Sequence, residues 1–457
     1  MIRSINPFTG AEIARFEAHT PDHVDAMLSA ATVAQSGWRL RSVVERTSLL
    51  RGMAQVLRAG KARYAELITL EMGKPLLESE AEIDKCAWNC DFYADQAPGM
   101  LAPEPVATNA TESTVVFDPL GVVLAIMPWN YPFWKFFRFA APAFVVGNGA
   151  VLKHANNVPQ CAVAIEEVVR QAGAPDGLCQ SVLIESSRVA GLIADDRIAA
   201  VTLTGSTEVG RRVAAAAGAA LKKQVLELGG SDPFIVLADA DVEEAAAVAV
   251  KARFLNTGQS CINAKRFLVD EAVADRFVAA LVAGAEGLTV GDPLDRRTTI
   301  GPMARADLRD ELHRQVQRTI AAGALLRLGG GFIDGPGFSY APTVLDHVQP
   351  DMVAFCEETF GPVAAVVRVT NPDMAIRLAN QSQFGLGAAI WTGDLVRGRQ
   401  MARRIDAGAV FINGMVASDP RLPFGGVKRS GYGRELSGYG LKEFANIKTV
   451  WIGPVRQ

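Results

Sequence analysis

The sequence predicts an α/β fold in which two parallel-sheet domains follow one another. Its 457 residues exceed the usual size of one domain, and 49% apolar with 21% charged residues is a typical globular composition. Short apolar strands alternate with alanine-rich helices, which is the pattern of parallel βαβ units. Because this pattern restarts after Gly229 and Gly230, we expect a domain boundary near residues 227–230.

The N-terminal part of the chain is predicted to be helical before the strands begin. Residues 21–96 carry alanine, leucine, glutamate and arginine in stripes of helical period, and prolines end this pattern at 98–105. Apolar or β-branched strands follow. The predicted strands are 113–117, 121–127, 150–152, 181–184 and 199–203, and a helix is predicted over 162–172.

The second half of the chain repeats this alternation. A strand at 234–237 precedes a helix over 242–254, for which Asp241 is the expected N-cap and Glu244 its capping-box partner. Strand 266–269, helix 272–283 and further units continue to about residue 412. Residues 448–452 remain as a lone strand, which we expect to pair with another subunit.

Charge and cysteine content limit the classes of partner and site. A formal net charge of −3 gives no field that attracts nucleic acid or an anionic membrane surface. The first residues lack an apolar signal-peptide core, and the apolar stretch 121–127 is too short to span a bilayer. Six unpatterned cysteines favour a reducing cytoplasm, and Cys86 and Cys90 lack the second pair that a metal site requires. We therefore expect a soluble cytoplasmic protein with a small-molecule partner and no metal.

One cysteine stands in a loop suited to catalysis. A predicted helix ends in the polar, small-residue loop 256–261, which we expect to expose Cys261. A catalytic thiolate needs such access. The alternative is an inert packed thiol, and the other five cysteines fit that alternative.

A glutamate and an asparagine are the next candidates. Glu227 stands among valine and leucine before two glycines, where burial would raise its pKa toward neutrality and suit a general base. Its alternative is a strand-end carboxylate facing solvent. Asn130 lies between Pro128 and Pro132, which would present its amide rigidly to a developing oxyanion. Its alternative is a capping asparagine in a rigid loop.

Two features suit a phosphate ligand. Residues 203–210 read as a strand, a glycine turn at Gly205 and a helix, whose free N–H groups can bind a phosphate. Lys153 follows a strand at the carboxyl edge where α/β sheets bind ligands. The alternatives are an ordinary strand-to-helix turn and a solvated surface lysine.

Taken together, these motifs resemble a known family over essentially the whole chain. In order and spacing they are similar to the NAD(P)-dependent aldehyde dehydrogenase superfamily, and segments 152–159, 228–234 and 424–435 most resemble its bacterial succinate-semialdehyde dehydrogenases. The matching motifs are Pro-Trp-Asn at 128–130, Lys153, Thr-Gly-Ser-Thr at 204–207, Leu-Glu-Leu-Gly-Gly at 226–230, Gly-Gln-Ser-Cys at 258–261, Glu-Glu-Thr-Phe-Gly-Pro at 357–362 and Pro-Phe-Gly-Gly-Val-Lys at 423–428.

The resemblance implies a domain plan and an assembly. Residues 1–227 would form a Rossmann-like cofactor-binding domain, with 101–118 contributing to a small β oligomerisation element. Residues 228–428 would form the catalytic domain, and 429–457 the C-terminal return with an oligomerisation strand. The implied assembly is a homodimer or homotetramer.

The resemblance also implies the catalytic roles. Cys261 would attack the aldehyde, and the Asn130 amide with the Cys261 N–H would hold the thiohemiacetal oxyanion. Hydride transfer would leave a thioester, and Glu227 would activate the water that hydrolyses it. Because CoA-dependent relatives lack this glutamate, a free carboxylic acid is the expected product.

The cofactor residues follow from the same resemblance. NAD-specific relatives often carry a glutamate three residues after the lysine, where this chain has the neutral Asn156. Without that carboxylate, Lys153 could pair with a 2′-phosphate, which favours NADP, with NAD as the alternative. The implied cofactor-binding residues are Trp129, Lys153, Asn156, Gly205, Ser206, Leu228, Glu358 and Phe360.

The substrate is the least determined feature. Leu255 stands where some succinate-semialdehyde relatives place a carboxylate-binding arginine, so Arg138, with Ser418 and Arg421, is the expected substitute. Some animal succinate-semialdehyde relatives carry a second cysteine two residues after the nucleophile, and the two cysteines can form a regulatory disulfide. This chain has Asn263 at that position, so we predict no such disulfide switch. Three hypotheses stand: oxidation of succinate semialdehyde, the same chemistry on another aliphatic or aromatic aldehyde, and a non-catalytic cofactor-binding structural protein.

Overall fold

The computed structural model describes residues 1–453, which begin with a hairpin and four helices. Thr20 caps the first helix, and Ser42 with Glu45 forms a complete capping box on the second. These elements are β1 (Ile2–Ile5), β2 (Glu12–Phe16), α1 (Pro21–Trp38), α2 (Val43–Ala59), α3 (Lys61–Met72) and α4 (Leu76–Met100).

Strands and helices alternate through the next part of the chain. They are β3 (Glu104–Pro105), β4 (Glu112–Pro119), β5 (Val122–Met127), α5 (Pro132–Val146), β6 (Gly149–His154), α6 (Pro159–Gln171), β7 (Cys179–Ser181), α7 (Val189–Ala194), β8 (Ile198–Thr204), α8 (Thr207–Ala219) and β9 (Lys223–Glu227). The strand predicted at 181–184 therefore lies slightly earlier in the chain.

The second alternation runs from β10 to β17. It comprises β10 (Asp232–Val236), α9 (Val242–Phe254), β11 (Ala264–Asp270), α10 (Glu271–Glu286), α11 (Ala306–Ala321), β12 (Leu325–Leu328), β13 (Thr343–Asp346), α12 (Val353–Cys356), β14 (Val363–Val369), α13 (Pro372–Asn380), β15 (Phe384–Gly385), β16 (Gly387–Trp391), α14 (Leu395–Ala402) and β17 (Ala409–Ile412). The described chain ends with β18 (Val427–Lys428), β19 (Gly431–Tyr432), α15 (Ser437–Glu443) and β20 (Ala445–Ile452).

Two largely parallel sheets form the body of the molecule, which confirms the predicted α/β class. The first has the order β19-β9-β8-β5-β6-β7, and the second β12-β13-β14-β11-β10-β16-β17. The chain passes from the first sheet to the second between β9 and β10. In the first sheet only β19 runs antiparallel, and it brings Gly431 opposite Glu227. The parallel strands place Met127, His154, Thr204 and Glu227 at one edge.

The predicted helix over 242–254 has those bounds as α9, and Asp241 accepts a hydrogen bond from the Glu244 N–H. Among the described residues, Glu244 does not return the bond that would complete a capping box. Within residues 1–453, no helix combines the length and the apolar character needed to cross a bilayer.

The expectation of a lone C-terminal strand is wrong. β20 pairs antiparallel with β4 along its whole length, from Ala445 opposite Pro119 to Ile452 opposite Glu112. With β3 these strands form a separate sheet of order β20-β4-β3. The partner lies hundreds of residues earlier in the chain, where a local pattern does not indicate it. Residues 454–457, the last four of the predicted segment 429–457, lie outside the described residues.

Candidate active site

A cavity of about 280 Å³ lies where the carboxyl edge of the first sheet meets the second half of the chain. We call it the cysteine cavity. Asn130 reaches it from the loop between β5 and α5, and Cys261 from the loop between α9 and β11. Its lining residues are Pro128, Trp129, Asn130, Lys135, Thr204, Gly205, Ser206, Leu228, Gly229, Cys261, Leu308, Glu311, Leu312, Gln315, Glu358 and Phe360.

Cys261 lines this cavity but is not exposed on the molecular surface. It is only 7% exposed, whereas the sequence predicted an exposed loop cysteine. Four of the other cysteines are buried as expected, but Cys356 is exposed and its thiol donates to the Pro350 carbonyl at 3.1 Å. Access to Cys261 is therefore internal, through the cavity.

Asn256 fixes the backbone of the cysteine loop. It and Thr257 adopt left-handed conformations, with φ of 57° and 53°, which asparagine tolerates but which strain the β-branched Thr257. The Asn256 side-chain amide donates to the Asn130 carbonyl at 2.9 Å and to the Gln259 carbonyl at 3.1 Å. Its backbone N–H donates to Glu78 Oε2 at 2.7 Å. These bonds hold the Cys261 loop against the Asn130 loop.

Asn130 and Cys261, which both line the cysteine cavity, supply two candidate hydrogen-bond donors. Asn130 Nδ2 donates to the Gln259 carbonyl at 2.9 Å, which leaves the second N–H of that amide. Within residues 1–453, no acceptor contacts the Cys261 backbone N–H. These are the two groups that the sequence assigned to an oxyanion.

Glu227 is buried at the end of β9, so the alternative of a solvent-facing carboxylate is wrong. It is 2% exposed, and within the described chain neither carboxylate oxygen has a hydrogen-bond partner. Burial, reinforced by the nearby Glu435 carboxylate, raises the pKa of Glu227 to about 8. Its side chain is not among the groups that line the cysteine cavity.

A second cleft, of about 560 Å³, continues from the cysteine cavity and shares Pro128, Thr204 and Gly205 with it. We call it the lysine cleft. Lys153 Nζ lies in it and donates to Asn156 Oδ1 at 2.6 Å and to the His154 carbonyl at 2.8 Å. Burial lowers the pKa of Lys153 to about 8. The other polar groups of the cleft are Arg3, Asn157, Glu185, Ser186 and Arg305.

The N-terminus of α8 lies where the cysteine cavity meets the lysine cleft. Ser206 Oγ accepts from the Val209 N–H at 3.3 Å and caps the helix. Gly205 borders open space, because a Cβ there would meet only the Leu203 side chain, at 3.5 Å. A ligand phosphate could therefore approach this backbone closely.

The remaining predicted cofactor residues also line the cysteine cavity. Phe360 contacts Trp129 edge to face with ring centroids 5.8 Å apart, and Leu228 lies on the same wall. Glu358 Oε1 accepts from the Gly230 N–H at 3.0 Å and from Lys265 Nζ at 3.2 Å.

A third cavity, of about 190 Å³, lies beyond Lys135 and carries three cationic side chains. We call it the cationic cavity. Arg138 forms a buried ion pair with Glu435. Lys85 Nζ donates to Ser418 Oγ at 2.8 Å, and burial lowers the pKa of Lys85 to about 8. Its lining residues are Glu78, Ala81, Glu82, Lys85, Tyr131, Trp134, Lys135, Arg138, Leu255 and Ser418.

Arg421 lies outside these cavities, which corrects the expectation that it meets the substrate. Its guanidinium bonds the nearby Asp419 carboxylate at 2.9 and 2.6 Å and stays 67% exposed. The short spacing to Asp419 holds it at the surface.

Sequence reasoning missed four residues of this region: Lys85, Lys135, Asn256 and Glu435. A signal existed for Lys135, because it is a charged residue in α5, a helix otherwise almost wholly apolar. Glu435 belonged to a matched motif but received no role. Lys85 lies on a helix of mixed character and Asn256 in a polar loop, where such residues are ordinary.

The chain is similar to known proteins over nearly its whole length. The model of the aldehyde dehydrogenase family matches residues 1–450. A probable NADP⁺ succinate-semialdehyde dehydrogenase of Synechocystis sp. is 51% identical over 99% of both chains. The succinate semialdehyde dehydrogenase [NAD(P)⁺] Sad of Escherichia coli is 50% identical over 98% of this chain and 97% of its own.

Solved structures show the same fold. The succinic semialdehyde dehydrogenase of Streptococcus pyogenes, determined with NADP⁺ as cofactor, superimposes with a TM-score of 0.97 at 37% identity. That comparison covers 99% of this chain and 100% of the other. The family predicted from the sequence is confirmed, and the chain belongs to the aldehyde dehydrogenase family.

Proposed function

We propose that this protein oxidises succinate semialdehyde to succinate, with NADP⁺ as the cofactor and NAD⁺ as the alternative. The observation that carries the proposal is the cationic cavity beside the Cys261 nucleophile. An aldehyde that reacts at Cys261 can extend past Lys135 and place a carboxylate near Lys85, Arg138 and Ser418. The names of the Synechocystis and Escherichia coli relatives support the same substrate.

The first chemical step uses the Cys261 sulfur and the two donors beside it. The thiolate adds to the aldehyde carbon, and the carbonyl oxygen becomes the oxyanion of a thiohemiacetal. The Asn130 amide and the Cys261 N–H would stabilise that charge, and an Asn130 N–H and the Cys261 N–H that remain without an acceptor in the described chain support this role. Because Asn130 and Cys261 are both buried, these donors act in an environment of low dielectric constant.

The two connected spaces fit a dinucleotide. Lys153 and the α8 N-terminus suit the phosphates, while Trp129, Leu228, Glu358 and Phe360 surround the end next to Cys261. When bound there, a nicotinamide supplies the acceptor for the hydride that leaves the thiohemiacetal carbon. Cys261 then carries a thioester.

Glu227 is the proposed base for hydrolysis of the thioester. Its raised pKa, about 8, lets the carboxylate take a proton from water near neutral pH. Because the carboxylate does not line the cysteine cavity, we propose that its side chain turns toward the cavity for this step. Attack by water releases succinate and regenerates the Cys261 thiolate.

The carboxylate subsite predicts a test of substrate choice. Lys85→Met removes the ammonium and its bond to Ser418 but retains a side chain of similar length. We expect kcat/KM for succinate semialdehyde to fall by about one to two decades, the worth of a charge-assisted contact, and that for butanal to change little. Steady-state rates on both aldehydes measure this.

Arg421→Met is the matched control, because that arginine lies outside the cavity and should leave both rates unchanged. Arg138→Ala is a less specific test, since it would leave the buried Glu435 carboxylate without its partner. Equal losses on both aldehydes in Lys85→Met, or a wild type that prefers butanal, would contradict the substrate assignment.

Cofactor choice is attributed to Lys153 and Asn156. Asn156→Glu places a carboxylate beside Lys153 Nζ, where it would repel a 2′-phosphate and engage the ammonium. We expect the ratio of kcat/KM for NADP⁺ to that for NAD⁺ to fall by about one to two decades. Asn156→Gln keeps the side chain neutral and is the matched control. An unchanged ratio in Asn156→Glu would show that the ribose is recognised elsewhere.

The remaining sequence expectations are also proposals. The division into 1–227, 228–428 and 429–457 is supported by the change of sheet between β9 and β10 and by the return of β19 to the first sheet. A homodimer or homotetramer is supported by the exposed Ile447, Val450 and Trp451 on β20, an edge strand. A cytoplasmic location is supported by six unpaired cysteines.

A further inference from the structure

Lys135 lies next to the nucleophile in a position that the proposed mechanism does not yet use. Its Nζ is 3.7 Å from Cys261 Sγ, within hydrogen-bonding distance for sulfur, and the side chain is buried. Within residues 1–453, Nζ has no other hydrogen-bond or ion-pair partner. It also lines both the cysteine cavity and the cationic cavity.

A buried ammonium without a counter-charge is costly, so burial lowers the pKa of Lys135 and favours its neutral amine unless an anion forms beside it. The anionic groups that face it are Glu435 and Glu227, but neither forms an ion pair with it in the described chain. The cations Arg138, on the same helix, and Lys85, on α4, oppose its charge. A thiolate at Cys261 would supply the missing negative charge.

The remaining ionisable groups around the pair do not replace that partner. On α4, Glu82 is engaged by Lys74 and by two backbone N–H groups of α5, and Glu78 accepts from the Asn256 N–H. Tyr131 is buried, which raises the pKa of its phenol well above the usual range, so that it stays neutral. The local charge balance therefore depends on the sulfur.

We propose that Lys135 is a further catalytic residue, which takes the proton of the Cys261 thiol and holds the sulfur as a thiolate. The S–H bond breaks, the proton moves to the lone pair of the neutral Lys135 amine, and the sulfur electron pair then forms the bond to the aldehyde carbon. When water cleaves the thioester, the C–S bond breaks and the sulfur leaves with its electron pair, again beside the ammonium. This inference rests on the role of Cys261 in the proposed function.

Alkylation without aldehyde or cofactor tests this pairing independently of the substrate. The rate of carbamidomethylation of Cys261 by iodoacetamide is measured against pH in wild type, Lys135→Met and Lys135→Arg. Peptide mass spectrometry distinguishes each thiol. Cys356 is an internal reference in every sample, because it is exposed and does not border the site.

In Lys135→Met we expect Cys261 alkylation near pH 7 to be about tenfold slower or more, because the sulfur loses the cation that stabilises the thiolate. Lys135→Arg should retain the wild-type profile in large part, because its cation still stabilises the thiolate, although the thiol proton then passes to solvent and not to the side chain. Cys356 should react equally in all three proteins.

An unchanged Cys261 profile in Lys135→Met would overturn the proposal. So would an unchanged profile combined with a raised KM for succinate semialdehyde alone, which would make Lys135 a substrate-binding residue. Alkylation of the buried Cys86 and Cys90 would reveal an unfolded variant. If Lys135→Met is unfolded, the alkylation profile of Cys261 is measured in Lys135→Gln, which keeps a polar side chain but removes the charge. We expect the same slower alkylation in this variant. If succinate semialdehyde is not the substrate, the alkylation profiles should still be as expected, because this experiment contains neither aldehyde nor cofactor. The two proposals can therefore fail separately.

Discussion

Cys261→Ala should abolish aldehyde oxidation, lowering kcat by about four decades or more, because it removes the sulfur that forms the thiohemiacetal and the thioester. Binding of the cofactor should survive, since the lysine cleft and the α8 N-terminus are untouched. Absorbance of the reduced cofactor measures turnover, and protein fluorescence titration measures cofactor binding.

Cys356→Ala is the matched control for this substitution. It removes an exposed thiol away from all three cavities and should leave turnover unchanged. A Cys261→Ala protein that retains a substantial part of wild-type turnover would exclude the covalent mechanism. A wild type inactive on a panel of aldehydes would instead favour the non-catalytic hypothesis.

Glu227→Gln should slow thioester hydrolysis by about two to four decades while sparing hydride transfer. Glutamine has nearly the same volume, so the buried site keeps its shape but loses the base. Rapid mixing should show about one equivalent of reduced cofactor per site, followed by slow turnover. Loss of the first phase itself would assign Glu227 to activation of the thiol instead.

The pH profile gives a second readout of the same substitution. Because only the ionised carboxylate acts as a base, hydrolysis in wild type should increase as the pH rises through about 8, the raised pKa of Glu227. The Glu227→Gln profile should lack this increase. Glu243→Gln changes an exposed glutamate on α9 and should behave as wild type.

Local sequence patterns predicted much of the fold. The N-cap Asp241 predicted the start of α9, whose predicted range is the observed one, and apolar runs locate the central strands of both sheets. They could not indicate that β20 pairs with β4, because strand pairing over that separation depends on the packed molecule. The lone strand was therefore a reasonable hypothesis but a wrong one.

Some properties of the candidate site could be predicted from the residues next to each functional side chain. Glu227 stood among apolar residues, and its burial and raised pKa follow directly from that setting. Exposure could not be predicted in the same way: Cys261 lines an internal cavity and Cys356 is on the surface. The position of Arg421 could not be predicted either, because it depends on a neighbouring charge: the Asp419 carboxylate binds the Arg421 guanidinium at the surface.

The mechanism places the acyl group of the substrate on the sulfur of Cys261. Mass spectrometry of Glu227→Gln protein, mixed with succinate semialdehyde and NADP⁺ and quenched after the first turnover, detects that group. The predicted result is one succinyl group per chain, located on the Cys261 peptide, with one equivalent of NADPH. NADPH formation without acylation, or acylation of a different residue, would contradict the account.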